Sequence, residues 1–292
     1  MRVIDCHVHL YPPEVNRDPA GWARANGETQ WAGLAMRRRK DGRAVQTFPS
    51  VSELLREMDR SEVERSVLLG WYWSKLETCE QQNRFYAKCV RAHPDRLSAF
   101  ATIQPLAGPE ATLAELRRAC ADGLIGLGEL SPHTQGVATD DSVFREVLGL
   151  AAELRLPVTL HVTDPNSRIY PGRVETPLED FVRLARAMPR VRFVLAHWGG
   201  LLPMRDPETT ALPNVFYDTA ASPLVYDDSV WSRFFAAVPT ERILFGSDYP
   251  LNVYPKLEAA PTMARFIAEA KNAGATENVL RGNAVRLLGM QE

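Results

Sequence analysis

At 292 residues, with 45% hydrophobic and 24% charged side chains, the chain is long enough to bury one sizeable core and needs no disulfide framework to fold. A formal charge of −2 provides no basic field for nucleic acid or an anionic membrane surface, and no apolar run approaches a membrane span. The four cysteines, Cys6, Cys79, Cys89 and Cys120, form no C-x-x-C pair and read as reduced thiols, so the expected setting is the cytoplasm, the expected partner a small-molecule substrate, and a homo-oligomer is compatible.

Short β-rich runs recur along the chain, over residues 3–9, 66–71, 97–103, 124–130, 157–161, 193–197, 215–219 and 242–248. Several are nearly continuous in Val, Ile, Leu and Phe, as parallel strands covered by helices require. Helical spacing fills the intervals. Residues 50–63 carry Val51, Leu54, Leu55 and Met58 on one face with serine caps, and residues 77–93 stop before Pro94. Residues 109–121 open on proline, and 140–154, 177–188, 229–238 and 255–272 follow. Residues 201–212 are poorly helical, and a last helix over 276–288 is expected to pack across the exterior. Eight strand–helix units predict a single-domain (β/α)8 TIM barrel over 1–292, with an extra C-terminal helix. Two long segments, 11–49 and 162–176, leave the C-terminal ends of strands and are expected to form lids over the active face.

The chemistry-bearing residues sit at those same strand ends. In Asp5-Cys6-His7-Val8-His9, alternation puts Asp5, His7 and His9 on one face. Alone, this H-x-H is weak evidence for metal, and two half-buried strand histidines bonded to backbone carbonyls explain it better. However, His161 closes one apolar run, His197 another, Glu129 lies in Gly126-Leu-Gly-Glu-Leu130, and Asp248 ends Ile243-Leu-Phe-Gly-Ser-Asp. Burying such groups separately is costly, whereas one or two divalent ions satisfy them together.

From Ile4-Asp-Cys-His-Val-His-Leu10, through Leu195-Ala-His-Trp-Gly-Gly200 and Gly246-Ser-Asp-Tyr-Pro250, to Gly282-Asn-Ala-Val-Arg-Leu-Leu288, the chain resembles the amidohydrolase superfamily. It is most similar to the amidohydrolase-related group that includes aminocarboxymuconate-semialdehyde decarboxylase and pyrone-dicarboxylate lactonase. That resemblance implies His7, His9, His161 and Asp248 as metal ligands, with His197 either a ligand of a second ion or a hydrogen-bonding group beside the bound water. No lysine occurs between Lys88 and Lys256, which excludes a carbamylated-lysine bridge. Glu129 resembles instead the bridging glutamate of TatD-type hydrolases, giving one ion on His7, His9, Glu129 and Asp248 and a second on Glu129, His161 and His197.

The expected activity is a metal-dependent hydrolase, with zinc the first choice of ion and manganese the second. The ion lowers the pKa of a bound water, Asp248 carries its proton to the leaving group, and His197 or the second ion steadies the oxyanion. The alternative is nonoxidative decarboxylation of an aromatic or unsaturated acid. Asp5 is expected to orient a histidine ligand, and Trp71, His133, Arg168 and Tyr249 are candidate substrate contacts near the mouth. The run Arg37–Lys40 reads as a solvated face.

Overall fold

The structure is a computed structural model that describes residues 2–222, 226–252 and 262–290. Eight parallel strands, β1 (Val3–Val8), β2 (Val63–Leu68), β3 (Leu97–Ala99), β4 (Leu127–Leu130), β5 (Pro157–Leu160), β6 (Arg192–Leu195), β7 (Val215–Asp218) and β8 (Ile243–Leu244), form the frame. They pair in the orders β1-β2-β3 and β4-β5-β6-β7-β8. Parallel bridges Ala101–Leu127 and Val8–Tyr249 join the two sheets, and backbone bonds from Cys6 N to Phe245 O (2.8 Å) and Ala101 N to Gly126 O (2.8 Å) reinforce both seams. The result is the expected (β/α)8 barrel.

Several expected boundaries move. β2 starts three residues earlier than its apolar run, and β8 is only two residues long because Thr240–Arg242 forms a 3-10 turn. The segment 11–49 is not merely loop: it holds helices Pro13–Arg17, Pro19–Asn26 and Thr29–Ala35, started by prolines and by the Asp18 cap. Ser50 and Glu53 form a capping box that opens the next helix, Val51–Arg60. The expected helix over 255–272 is seen as Met263–Asn272, its first part lying outside the described residues.

The main core lies between strands and helices, where Val158, Phe193, Val215 and Ile243 meet Leu148, Phe181 and Phe234. A second cluster, with Ile4, Val67, Phe100, Val194 and Leu244, draws on strands around the whole barrel and therefore fills its interior. Ala284, Val285 and Leu287 of the last helix, Asn283–Leu288, join that cluster. This helix plugs the barrel end opposite the site instead of crossing the exterior, and Arg192 at the start of β6 ties to its Leu287 carbonyl (2.7 Å).

Candidate metal centre

Six of the residues singled out from the sequence meet at the C-terminal mouth. His7 Nε2 and His9 Nε2 lie 3.2 Å apart. Glu129 Oε2 is 3.8 Å and 3.7 Å from them, and Asp248 Oδ1 is 3.7 Å and 3.5 Å away. Donors about 2.1 Å from a tetrahedral ion stand about 3.4 Å from one another, so the two ring nitrogens have ion-sized spacing from each other and from each carboxylate.

The hydrogen bonds on the far sides of the rings test the fit independently. His7 donates through Nδ1 to Asp218 Oδ2 at 2.9 Å, and His9 through Nδ1 to the Leu69 carbonyl at 3.0 Å. Each ring is thereby left with Nε2 turned toward the other, and two lone pairs at that distance require a cation or a proton between them. Without an ion, a proton fills the role. Burial by itself lowers the pKa of His7, but the carboxylates of Asp218 and Glu129 outweigh it and raise the ring to about 10. Burial and the neighbouring His7 hold His9 below its ordinary value. The set is built for positive charge.

Glu129 also faces a second pair. Its Oε1 lies 3.0 Å from His161 Nδ1 and 3.5 Å from His197 Nε2. Burial pushes its carboxyl up, yet His161 and His7 hold it well below the usual carboxylate range. Gly128 makes this placement possible: its φ is +134°, and a Cβ there would meet the Thr159 carbonyl at 2.5 Å. Gly246 serves β8 likewise, since a Cβ would meet His7 Cβ at 2.8 Å.

His197 and Asp248 stand on backbone that side chains seldom adopt, at φ 56° and 65°. The turn His197–Leu201 is left-handed throughout. Packing and hydrogen bonds hold it there: Trp198 is buried edge-on to Trp231 and against Phe234, both at 4.8 Å, and Asp218 Oδ1 accepts the His197 N–H at 3.0 Å. Asp218 therefore braces two parts of the centre at once, a role that sequence reasoning did not assign. It stands at the end of β7, as the other functional residues stand at their strand ends, and that position was the available signal.

Asp5 does not reach a histidine ring. Its Oδ1 accepts the backbone N–H groups of His7 (3.1 Å) and Ser247 (3.0 Å), and burial raises its pKa to about 6. Simple alternation along β1 also fails: the register with β2 shifts between Asp5 and Val8, and Cys6 packs with the interior cluster instead of facing the helices.

The expected substrate contacts divide. Trp71 lies at the mouth with its ring 5.5 Å from His9, and the unpredicted Tyr72 stacks on it at 4.4 Å while lying 5.3 Å from His161. His133 is drawn off by Asp180 at 2.8 Å. Arg168 is exposed. The Tyr249 ring is buried in the main core, and its hydroxyl, pushed up to about 12 by burial and by Glu57 and Glu53, faces the Val51–Arg60 helix. Within the basic run, Arg37 is half-buried and lies 4.5 Å over the Tyr170 ring, so it does not belong to a solvated face.

A family model described as amidohydrolase matches residues 4–290. The chain belongs to the amidohydrolase family. This family uses divalent metal, which agrees with the donor set. Among sequence relatives of this amidohydrolase-family chain, decarboxylase orsB of Emericella nidulans is 24% identical over 262 residues, covering 71% of this chain and 78% of that protein. The 5-carboxyvanillate decarboxylase LigW from Sphingomonas paucimobilis has the same fold, with a TM-score of 0.76, 20% identity and 99% coverage of both chains. A dihydroxybenzoic acid decarboxylase from Polaromonas sp. JS666, with bound manganese and the inhibitor 2-nitroresorcinol, gives a TM-score of 0.67 at 19% identity over 99% of this chain and 97% of its own. These relatives fit the decarboxylase alternative better than the hydrolase expectation. Among the described residues, no helix is long and apolar enough to cross a membrane.

Proposed function

We propose that this amidohydrolase-family protein is a metal-dependent, nonoxidative decarboxylase of an aromatic carboxylic acid. The observation that carries the reading is the recurrence of decarboxylases among relatives that match most or nearly all of the barrel. An aromatic rim beside the centre, Trp71 and Tyr72, suits a planar substrate. His7, His9, Glu129 and Asp248 would hold the ion. When bound, it supplies positive charge that orients the substrate carboxylate and a neighbouring oxygen. Imidazole and carboxylate donors suit zinc and manganese alike, and the Polaromonas relative's manganese favours the latter.

Loss of carbon dioxide leaves the electron pair of the broken C–C bond on the ring carbon, which must take up a proton. In this reading Asp248 and His197 deliver it, a role supported by their neighbouring side chains, with Asp248 Oδ2 4.0 Å from His197 Nδ1. His197 is steadied by its Nδ1 donating to the Ala220 carbonyl at 3.2 Å, which leaves Nε2 on the Glu129 side. The test is carbon dioxide release from hydroxybenzoates and 5-carboxyvanillate by manganese- or zinc-loaded protein. Cleavage of lactones or esters, with no carbon dioxide from any of these acids, would overturn the proposal.

One observation favours hydrolysis as a second reading: Glu129, His161 and His197 form a ligand triad sharing Glu129 with the first set. A Glu129 bridge predicts two ions in metal-saturated protein and one in Glu129→Gln. Elemental analysis showing one ion in both removes this reading.

A further inference from the structure

Two buried hydrogen-bond donors, the Tyr11 hydroxyl and Trp71 Nε1, lie beside the metal ligands without an acceptor, and the Trp31 and Gln46 side chains close around Tyr11 by donating to its oxygen. Tyr11 and Trp71 are 1% and 8% exposed, and Trp31 and Gln46 1% and 6%. They come from the stretch after β1, from the segment 11–49 and from the end of β2. The Tyr11 ring is 5.3 Å from Trp31 and 6.4 Å from Trp71, and its hydroxyl lies close to Gln46.

A buried donor without an acceptor is unfavourable, and apolar side chains of similar shape would pack the same space without that cost. Two of them on one wall, the Tyr11 hydroxyl and Trp71 Nε1, call for an acceptor that arrives from outside. The wall is otherwise aromatic, and Trp71 and Tyr72 carry it up to His9 and His161. Its geometry is set in advance. Gln82 Oε1 accepts the Trp71 backbone N–H at 3.0 Å, and Thr102 Oγ1 donates to the Trp71 carbonyl at 2.5 Å. Neutral donors on a rigid aromatic face are suited to a flat ring bearing oxygen acceptors.

We infer that this donor-lined aromatic wall is a ring-binding subsite, which packs an aromatic acid against Tyr72 and bonds its phenolic or carboxylate oxygen at the edge of the Trp71 indole, through Trp71 Nε1 and the Tyr11 hydroxyl. The inference rests on the aromatic-acid reading above. The donors are covered by the surrounding chain, so the ring enters when segments 11–49 and 162–176 separate. Those segments touch where Arg37 lies over Tyr170 and where Gln30 Nε2 donates to the Gly172 carbonyl at 3.4 Å.

The experiment measures salicylate and benzoate binding to metal-loaded protein by calorimetry, for wild type, Trp71→Phe and Tyr11→Phe. Each variant keeps an aromatic ring and loses one donor. Salicylate should bind about three- to tenfold more weakly to each variant. Benzoate, which lacks the phenolic oxygen, should lose less. Metal content should be unchanged, and the thermal midpoint of Trp71→Phe should be equal to or above wild type, because an unpaired buried donor has been removed. Salicylate binding within twofold of wild type in both variants overturns the subsite, as does a wild type that binds neither acid. Binding is read without turnover. Donor-dependent salicylate binding in a protein that releases no carbon dioxide would therefore sink the decarboxylase reading and leave the subsite standing.

Discussion

The metal centre and the aromatic wall beside it are both buried, both lined with polar atoms, and opposite in what they lack. Around His7 and His9 there are three carboxylates, Glu129, Asp218 and Asp248, and the cluster holds an extra proton on His7 against the effect of burial. On the wall, the Tyr11 hydroxyl and Trp71 Nε1 are hydrogen-bond donors without acceptors. One region calls for a cation and the other for an oxygen acceptor. A carboxylate-bearing aromatic ring lying between them would answer both, which is why the two regions read better together than either does alone.

The most severe way to break the comparison is to empty its cationic side. His7→Ala combined with His9→Ala removes two of four donors, and purified protein should lose most of its metal by elemental analysis. Activity should fall by a factor on the order of 10³ or more. Unchanged metal content would mean that the ion sits elsewhere. A second measure is pH. His7 in metal-free protein titrates near 10, so loading an ion between pH 7 and 9 must expel its proton. Apparent metal affinity should rise about tenfold per pH unit over that window, with about one proton released per ion in calorimetry across buffers of different ionisation enthalpy. A flat profile would contradict the proton–metal exchange.

Asp218→Asn sharpens the comparison from outside the ligand set. The amide oxygen can still accept from the backbone of His197 and Ala220, but the charge behind His7 is gone. Metal affinity should fall by about 10–100-fold with little change in circular dichroism. A variant that binds metal as wild type does would reduce Asp218 to a backbone brace. The smallest effect is on stability. The Asp5 carboxyl has a folded pKa of about 6, above the unfolded value of about 3.9. The folded state therefore binds its proton more tightly. That contribution is fully present below the unfolded pKa and is lost as pH rises through about 6. Metal-free Asp5→Asn should thus gain on wild type between pH 4 and 7, by about 3 kcal/mol at most. Parallel melting-temperature profiles of the two proteins would refute this account of Asp5.

Much of the centre is legible in the chain itself. His161, His197, Glu129 and Asp248 each end, or nearly end, an apolar run, and a parallel barrel carries its strand ends to one face, so residues scattered from His7 to Asp248 are expected in one place. The fold follows from the same rhythm. What the rhythm does not show is how each side chain is aimed. Strand alternation in β1 predicts that Asp5, His7 and His9 share a face and that Asp5 serves a ring. A register shift breaks that alternation, Asp5 turns to the backbone, and Asp218, reading as an ordinary strand residue in Val215-Phe-Tyr-Asp218, takes the ring of His7.

The sequence by itself thus determined the strand count, the face that carries the chemistry and the donor types gathered there, because hydrophobic periodicity and residue chemistry are local properties. Only the tertiary structure decided which oxygen meets which nitrogen, that His197 and Asp248 rest on left-handed backbone, and that Tyr249 turns away while Tyr72 turns in. It also decided that the segment 11–49, unremarkable as a stretch of sequence, folds into short helices and sets Trp31 and Gln46 beside Tyr11 and Trp71. These outcomes depend on packing between residues far apart in the chain, where a shift of one position along a strand or turn exchanges the buried face for the exposed one.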